Sequence, residues 1–228
     1  MDPSSVYIIV PAYNESAMLR ASLSPLIDAG YTVVVVNDGS RDDSRPVLES
    51  MPVVAVHHLI NLGQGAALQT GMEYARRHGA KAVIHFDADG QHDYRQIPVM
   101  LEAIESGEAD VVLGSRFMRP DDASRVPWIK RVILRAGIVI SWASSGVWLT
   151  DTHNGFRALS PKAIERINLT QSGFAHATEI LSEIRRNKLR YVERPVTICY
   201  SDYSKAKGQS PANAINIVID LLLGRIFR

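Results

Sequence analysis

The chain has 228 residues, 46% of them hydrophobic and 21% charged, enough for one large domain with a sizeable core. Its 25 Lys and Arg nearly balance its 24 Asp and Glu, so the net charge of +1 gives no bulk electrostatic case for a nucleic-acid partner. The single cysteine, Cys199, excludes an intramolecular disulfide and any multi-cysteine zinc or iron–sulfur centre. With no secretory signal at the N-terminus, a reducing cytoplasm is the expected setting.

Apolar runs at Val6–Val10, Thr32–Val36, Val53–Val56, Ala82–Phe86 and Val111–Leu113 predict five strands. Four are rich in Val and Ile, as strands buried on both faces of a parallel sheet are. Helical patterns fall between them at about Glu15–Ala29, Asp42–Ser50, Gly65–His78 and Tyr94–Ser106. This alternation predicts a doubly wound α/β fold with right-handed crossovers. The second half is less regular: a polar loop at Arg116–Arg125, a turn at Asp151–Gly155, helices at Pro161–Ile167 and Thr178–Arg186, and a strand at Arg190–Cys199. Tyr200–Ser210 reads as a loop, and Pro211–Arg228 as an amphipathic helix with Ile215, Val218, Ile219, Leu222, Leu223 and Ile226 on one broad face. The longest uncharged stretch, Ala136–Thr150, is shorter than the roughly 20 residues that span a bilayer, so no membrane span is expected. Trp128, Lys130, Arg131, Arg135, Trp142 and Trp148 cluster around it, which suits either an interfacial helix or a buried one.

Ligands of such sheets lie beyond the carboxyl ends of the strands. There the first, second and fourth strands run into Pro11-Ala12-Tyr13-Asn14-Glu15, Asn37-Asp38-Gly39-Ser40 and Asp87-Ala88-Asp89-Gly90-Gln91. Asp87 and Asp89, one residue apart at a chain reversal, can share a divalent cation, with Gln91 adding a neutral oxygen; the donor set suits Mg²⁺ or Mn²⁺. A turn alone would also favour Asp and Gly. Asp38 can accept from a pyrimidine N–H or from ribose hydroxyls, or Gly39-Ser40 with Asp42 is only a turn and helix cap. Asn61-Leu62-Gly63-Gln64-Gly65 follows the third strand and lacks the final glycine of a dinucleotide fingerprint, which disfavours a nicotinamide enzyme. Arg116, Lys205 and Lys207 add cations suited to phosphate.

These elements resemble glycosyltransferase family 2, and within it the dolichol- or polyprenyl-phosphate sugar synthases. The resemblance rests on the four strand-end motifs with His92, on Gly114-Ser115-Arg116-Phe117, on Asp151-Thr152-His153-Asn154-Gly155-Phe156-Arg157 and on Tyr203-Ser204-Lys205, in family order from Val6 to about Gly208. It implies a nucleotide-sugar-binding glycosyltransferase A-type fold, a mainly parallel sheet flanked by helices, and inversion at the anomeric carbon. A catalytic domain over 1–210, with an interfacial helical segment at 127–149, would precede a C-terminal helix at 211–228. By the same resemblance Pro11, Ala12, Tyr13, Asn14, Glu15, Asp38, Asn61, Gly63, Asp87, Ala88, Asp89 and Lys205 would hold the donor, a UDP- or GDP-sugar. Asp87, Asp89 and Gln91 would hold the metal, and Arg116 with Arg125 or Arg131 would receive the lipid phosphate.

A phosphate acceptor is already anionic near neutral pH and needs no general base, only cations to bring two anions together. Asp151 is nonetheless a candidate base beside Arg116 and Arg131, and Glu179 a weaker one; otherwise Asp151 caps a turn and Glu179 orients Arg157 or a helix end. Many such synthases continue into transmembrane helices where this sequence stops at Arg228, so peripheral attachment to the cytoplasmic membrane face is expected. A small integral membrane partner or self-association would supplement it. The competing expectations are extension of a saccharide acceptor and, in another class, a non-catalytic nucleotide-sugar sensor.

Overall fold

The structure, a computed structural model, describes residues 1–118, 146–152, 154–171 and 176–199. Seven strands form one sheet: β1 (Val6–Ala12), β2 (Thr32–Asn37), β3 (Val54–His57), β4 (Ala82–His85), β5 (Val111–Ser115), β6 (Arg157–Leu159) and β7 (Tyr191–Pro195). The helices are α1 (Ser16–Asp28), α2 (Ser44–Glu49), α3 (Gln64–Arg77), α4 (Ile97–Glu105), α5 (Pro161–Arg166) and α6 (His176–Arg186). The strand order is β3-β2-β1-β4-β6-β5-β7, and every pairing is parallel except those of β6 with β4 and β5.

Side chains alternate between two buried layers, so both faces of each central strand need apolar residues. Ile8, Val10, Val35 and Ile84 pack with Leu19, Leu23 and Leu26 of α1 and with Met100 and Leu101 of α4. On the other face Ile9, Val34, Val83 and Leu159 meet Leu68 and Met72 of α3 and Ile180 and Ile184 of α6. The approach of α3 to β1 is close enough to require Gly71, where a Cβ would stand 2.2 Å from Ile9 Cγ2.

The five strands expected in the first half are present; four run one or two residues further, to Ala12, Asn37, His57 and Ser115, β3 starts one residue later at Val54, and β4 ends one residue sooner at His85. The helix expected at Tyr94–Ser106 opens as a 3₁₀ turn, Tyr94–Gln96, before α4. The strand expected at Arg190–Cys199 ends at Pro195, with an isolated bridge from Ile198 to His92 beyond it. β6 has no counterpart among the expected strands. The interfacial segment falls outside the described residues apart from 146–149, as does the whole of the helix expected at 211–228.

Candidate active site

The carboxyl ends of β1 to β5 share one edge of the sheet, and the antiparallel β6 brings its amino end, Arg157, to the same edge. β1 lies between β2 and β4, so connections leave it in opposite directions and open a crevice beyond its end.

One wall is sewn from two loops. Asn14, at φ +53, donates its backbone N–H to Ser40 Oγ (2.9 Å), and its side-chain oxygen accepts from Arg41 N (2.9 Å). Glu15 N donates to Ser44 Oγ, and Ser16 N to Asp42. A cavity of about 370 Å³ opens here, lined by Tyr13, Asn37, Ser40, Arg41, His57, Ile60 and Asn61 among others. Asp38 lies outside that lining and is only 3% exposed. Its Oδ1 pairs with His58 Nδ1 (2.7 Å) and Leu62 N (2.9 Å), and its Oδ2 accepts from Gly63 N (2.7 Å). The structure thus gives the Asp38 carboxylate to the loop after β3, which it holds against the crevice. Gly63 takes φ +93 in that loop, and a Cβ on Gly39 would meet the Ile60 carbonyl carbon at 2.5 Å.

The floor is the turn after β4. Asp87 accepts from Gln64 Nε2 and pairs with His92 Nε2, each at 3.0 Å. The first residue of α3 therefore reaches this carboxylate with its side chain. Asp89 accepts from Gln91 N (3.0 Å) and Gln91 Nε2 (2.7 Å), so Gln91 steadies Asp89 with the donor side of its amide. Buried Ala88 anchors the turn through its carbonyl, which accepts from Ser22 Oγ (2.8 Å). A Cβ on Gly155 would stand 2.6 Å from Asp87 Oδ2, so Asp87 rests against bare backbone.

The two carboxylates are electrostatically unlike. Burial and the neighbouring charge of Asp87 push Asp89 above the usual carboxylate range. Burial acts to raise Asp87 too, but the His92 hydrogen bond and the charges of His92, Arg157 and His176 prevail and hold it low. Two crowded carboxylates, one of them unfavourably charged, fit a divalent cation, which would relieve the repulsion. Among the described residues no group of three or more His, Cys, Asp or Glu side chains could hold a metal ion.

The opposite side of the crevice is cationic. Arg116 grips Asp151 through Nε (2.6 Å), Nη2 (2.8 Å) and its backbone N (3.1 Å). Asp151 is 5% exposed, and both its oxygens are engaged in this fork, which orients Arg116 rather than leaving a carboxylate aimed at a substrate hydroxyl. Glu193 of β7 braces the same turn, accepting from Thr150 N (2.9 Å) and Thr150 Oγ1 (2.8 Å). Glu179, the weaker base candidate, binds Thr170 N, Thr170 Oγ1 and Gln171 N; it fixes that turn and makes no bond to Arg157.

Between the two sides lies Arg157, in register with His85 of β4 and Leu113 of β5. It is 3% exposed, and burial lowers its guanidinium to about 10 against the charges of Asp87 and Asp151. Burial, with Arg157 and His176, pushes His85 down to about 3, so its imidazole is neutral at pH 7. Arg125, Arg131 and Lys205 lie outside the described residues. Sequence reasoning gives Gln64 no role beyond its place in the motif after β3, and does not single out Glu193 or His58, for which His57-His58 at the end of β3 is the visible signal.

The glycosyl transferase family 2 model matches residues 7–168. The UDP-N-acetylglucosamine–dolichyl-phosphate N-acetylglucosaminyltransferase of Methanococcus voltae is 29% identical over 238 residues, covering 96% of this chain and 95% of that protein. The undecaprenyl-phosphate mannosyltransferase of Micrococcus luteus is 30% identical over 213 residues, covering 89% and 86%. Among solved structures, glucosyl-3-phosphoglycerate synthase of Mycobacterium tuberculosis with Mn²⁺, UDP and phosphoglyceric acid superposes with a TM-score of 0.69, over 96% of this chain and 78% of that one. At 18% identity that likeness is one of fold.

Proposed function

The chain belongs to glycosyl transferase family 2, and we propose that it transfers a sugar from a nucleotide-sugar donor to a polyprenyl phosphate, inverting the anomeric carbon. One observation carries the choice of acceptor: Asp151, the best-placed candidate base, is committed to Arg116. A site that spends its carboxylate on orienting a guanidinium is suited to an acceptor that brings its own negative charge. The named activities of the Methanococcus voltae and Micrococcus luteus relatives, both on polyprenyl-type phosphates, support the same reading.

In this reading the cavity beside Tyr13 and Asn61 holds the nucleoside, and the amino terminus of α3 faces the diphosphate. Asp87 and Asp89 would hold Mg²⁺ or Mn²⁺, which when bound neutralises charge on the diphosphate. Gln64, His92 and Gln91 keep those carboxylates in place. Arg116 receives the acceptor phosphate and sets one oxygen in line with the anomeric carbon. The new carbon–oxygen bond forms as the bond to the diphosphate breaks, and the nucleoside diphosphate leaves with that electron pair.

A lipid acceptor reaches such a site from a membrane surface, and Met118 and Trp148 are exposed within a few residues of Arg116 and Asp151. Among the described residues no helix is long and apolar enough to cross a membrane. Peripheral attachment at the cytoplasmic face, helped by residues 127–149 and 211–228 and by a small integral membrane protein or a second copy, belongs to this proposal.

The test is a donor-by-acceptor assay with a short polyprenyl phosphate, a panel of UDP- and GDP-sugars and Mg²⁺ or Mn²⁺, read by mass spectrometry. A glycosyl phospholipid that disappears with chelator and with Asp89→Ala is the expected result. Turnover only with saccharide acceptors would overturn the acceptor assignment. Donor binding without turnover on membranes would favour a sensor.

A further inference from the structure

We infer that the donor nucleotide is a uridine rather than a guanosine diphosphate. The inference rests on the nucleotide-sugar reading above and concerns the base end of the same cavity. Guanine presents adjacent N–H donors on its pairing edge, whereas uracil presents two carbonyl acceptors around one N–H. Selecting guanine calls for side-by-side acceptors, most simply one carboxylate. Asp38 is the carboxylate that directly follows β2, and its two oxygens already take His58, Leu62 N and Gly63 N while its side chain stays buried. No carboxylate stands among the residues that line the cavity.

Of the two side-chain amides in the lining, Asn61 brings one neutral oxygen, while Asn37 is engaged by its neighbours. Asn37 Oδ1 accepts from Ser40 N (3.1 Å), and its amide nitrogen pairs with His57 Nδ1 (3.2 Å). What the lining offers instead is donor capacity. Arg41 and Arg45 carry guanidinium groups that donate and cannot accept. Tyr13, Leu59 and Ile60 add exposed apolar surface against which a base plane can lie. A cavity of about 370 Å³ with guanidinium donors and no carboxylate among its lining residues suits the small carbonyl-bearing base. Guanine would leave N–H donors unpaired on the same walls, which costs about tenfold or more in affinity.

The experiment is calorimetric titration of the full chain with UDP and, separately, GDP in Mg²⁺, with no sugar and no lipid. UDP binding at least about tenfold more tightly than GDP is the expected result. Equal binding, or a preference for GDP, would overturn the inference and leave the nucleotide-sugar reading standing. Failure of both nucleotides to bind would overturn that reading and the inference together. CDP gives a second discrimination, since cytosine places an amino donor where uracil has a carbonyl. Weaker binding of CDP than UDP supports base readout by the donor-rich wall, and equal binding contradicts it.

Discussion

Gly155→Ala separates the placement of Asp87 from the stability of the fold. The added Cβ would stand 2.6 Å from Asp87 Oδ2, 3.3 Å from its Cγ and 3.4 Å from its Oδ1. Carbon and oxygen settle no closer than about 3.4 Å without strain, so the carboxylate must withdraw by roughly 0.8 Å. It is the free end of a short side chain and can move, but only by stretching its bonds to His92 and Gln64, both 3.0 Å. The loss of one such bond costs about 1 kcal/mol, a fall in Tm of about 2–4 °C for a chain of this size. For chemistry the same shift is large: an angstrom of misplacement of a group that orients substrate costs on the order of 10²-fold. We therefore expect near-native melting, transfer reduced about a hundredfold and weaker Mn²⁺-dependent UDP binding. Melting is followed by circular dichroism, transfer by product formation and binding by calorimetry. Native Mn²⁺–UDP affinity together with native transfer would refute the argument that Gly155 seats a metal ligand. So would a large loss of stability with unchanged turnover per folded molecule.

Three further expectations follow from the same structure. Asp151→Asn releases the Arg116 fork and should raise the acceptor KM about tenfold or more while kcat keeps its pH profile; loss of an acidic limb in kcat, the rise in activity as a base gives up its proton, would instead make Asp151 a general base. Gly71→Ala drives a Cβ to 2.2 Å from Ile9 Cγ2 in a packed helix–strand contact and should cost about 1–3 kcal/mol by urea denaturation, with activity per folded molecule retained. Asp110 is held well below the usual carboxylate range by Arg190 and Lys162, so its contribution is complete above about pH 4 and is lost as pH falls through the depressed value, where the unfolded chain already carries the proton. Asp110→Asn should therefore destabilise by about 1–2 kcal/mol at pH 7 and by progressively less below pH 4; a constant difference down to pH 2 would contradict the ion-pair account.

Much of the first half of the fold is legible because a strand covered on both faces has no room for alternation. Thr32–Asn37 carries four consecutive valines for that reason, and the period of α3 shows in Leu68, Met72 and Ala75. β6 is hidden for the opposite reason. Its three residues, Arg157-Ala158-Leu159, open with a charge, and only pairing with β4 on one side and β5 on the other makes them a strand. The site divides along the same line. Asp87 and Asp89 announce themselves as a local motif at a strand end. The groups that set their geometry, Gln64, His92 and Gly155, lie 23, 5 and 68 residues from Asp87, and the two distant ones reach it only through the folded sheet. Asp38 shows the limit of motif reading. Its position at a strand end is visible, but its commitment to Leu62 and Gly63 depends on how the next loop folds back.

The order of strands suits the two anions of the proposed reaction. Asp87 follows β4 and Arg116 follows β5, and β6 runs between those strands. Neighbouring strands are about 4.8 Å apart, so the two groups start from backbones roughly 10 Å apart on the same edge. That leaves room for an anomeric carbon with a phosphate on either face. An inverting displacement needs its leaving group and its nucleophile on opposite faces of the anomeric carbon, and here the acidic, metal-fitting side and the cationic side stand across the width of one inserted strand. The inserted strand adds Arg157 beneath the gap, a buried cation whose field reaches both Asp87 and Asp151. The antiparallel β6, the strand least visible in the sequence, is thus what gives the proposed reaction its geometry.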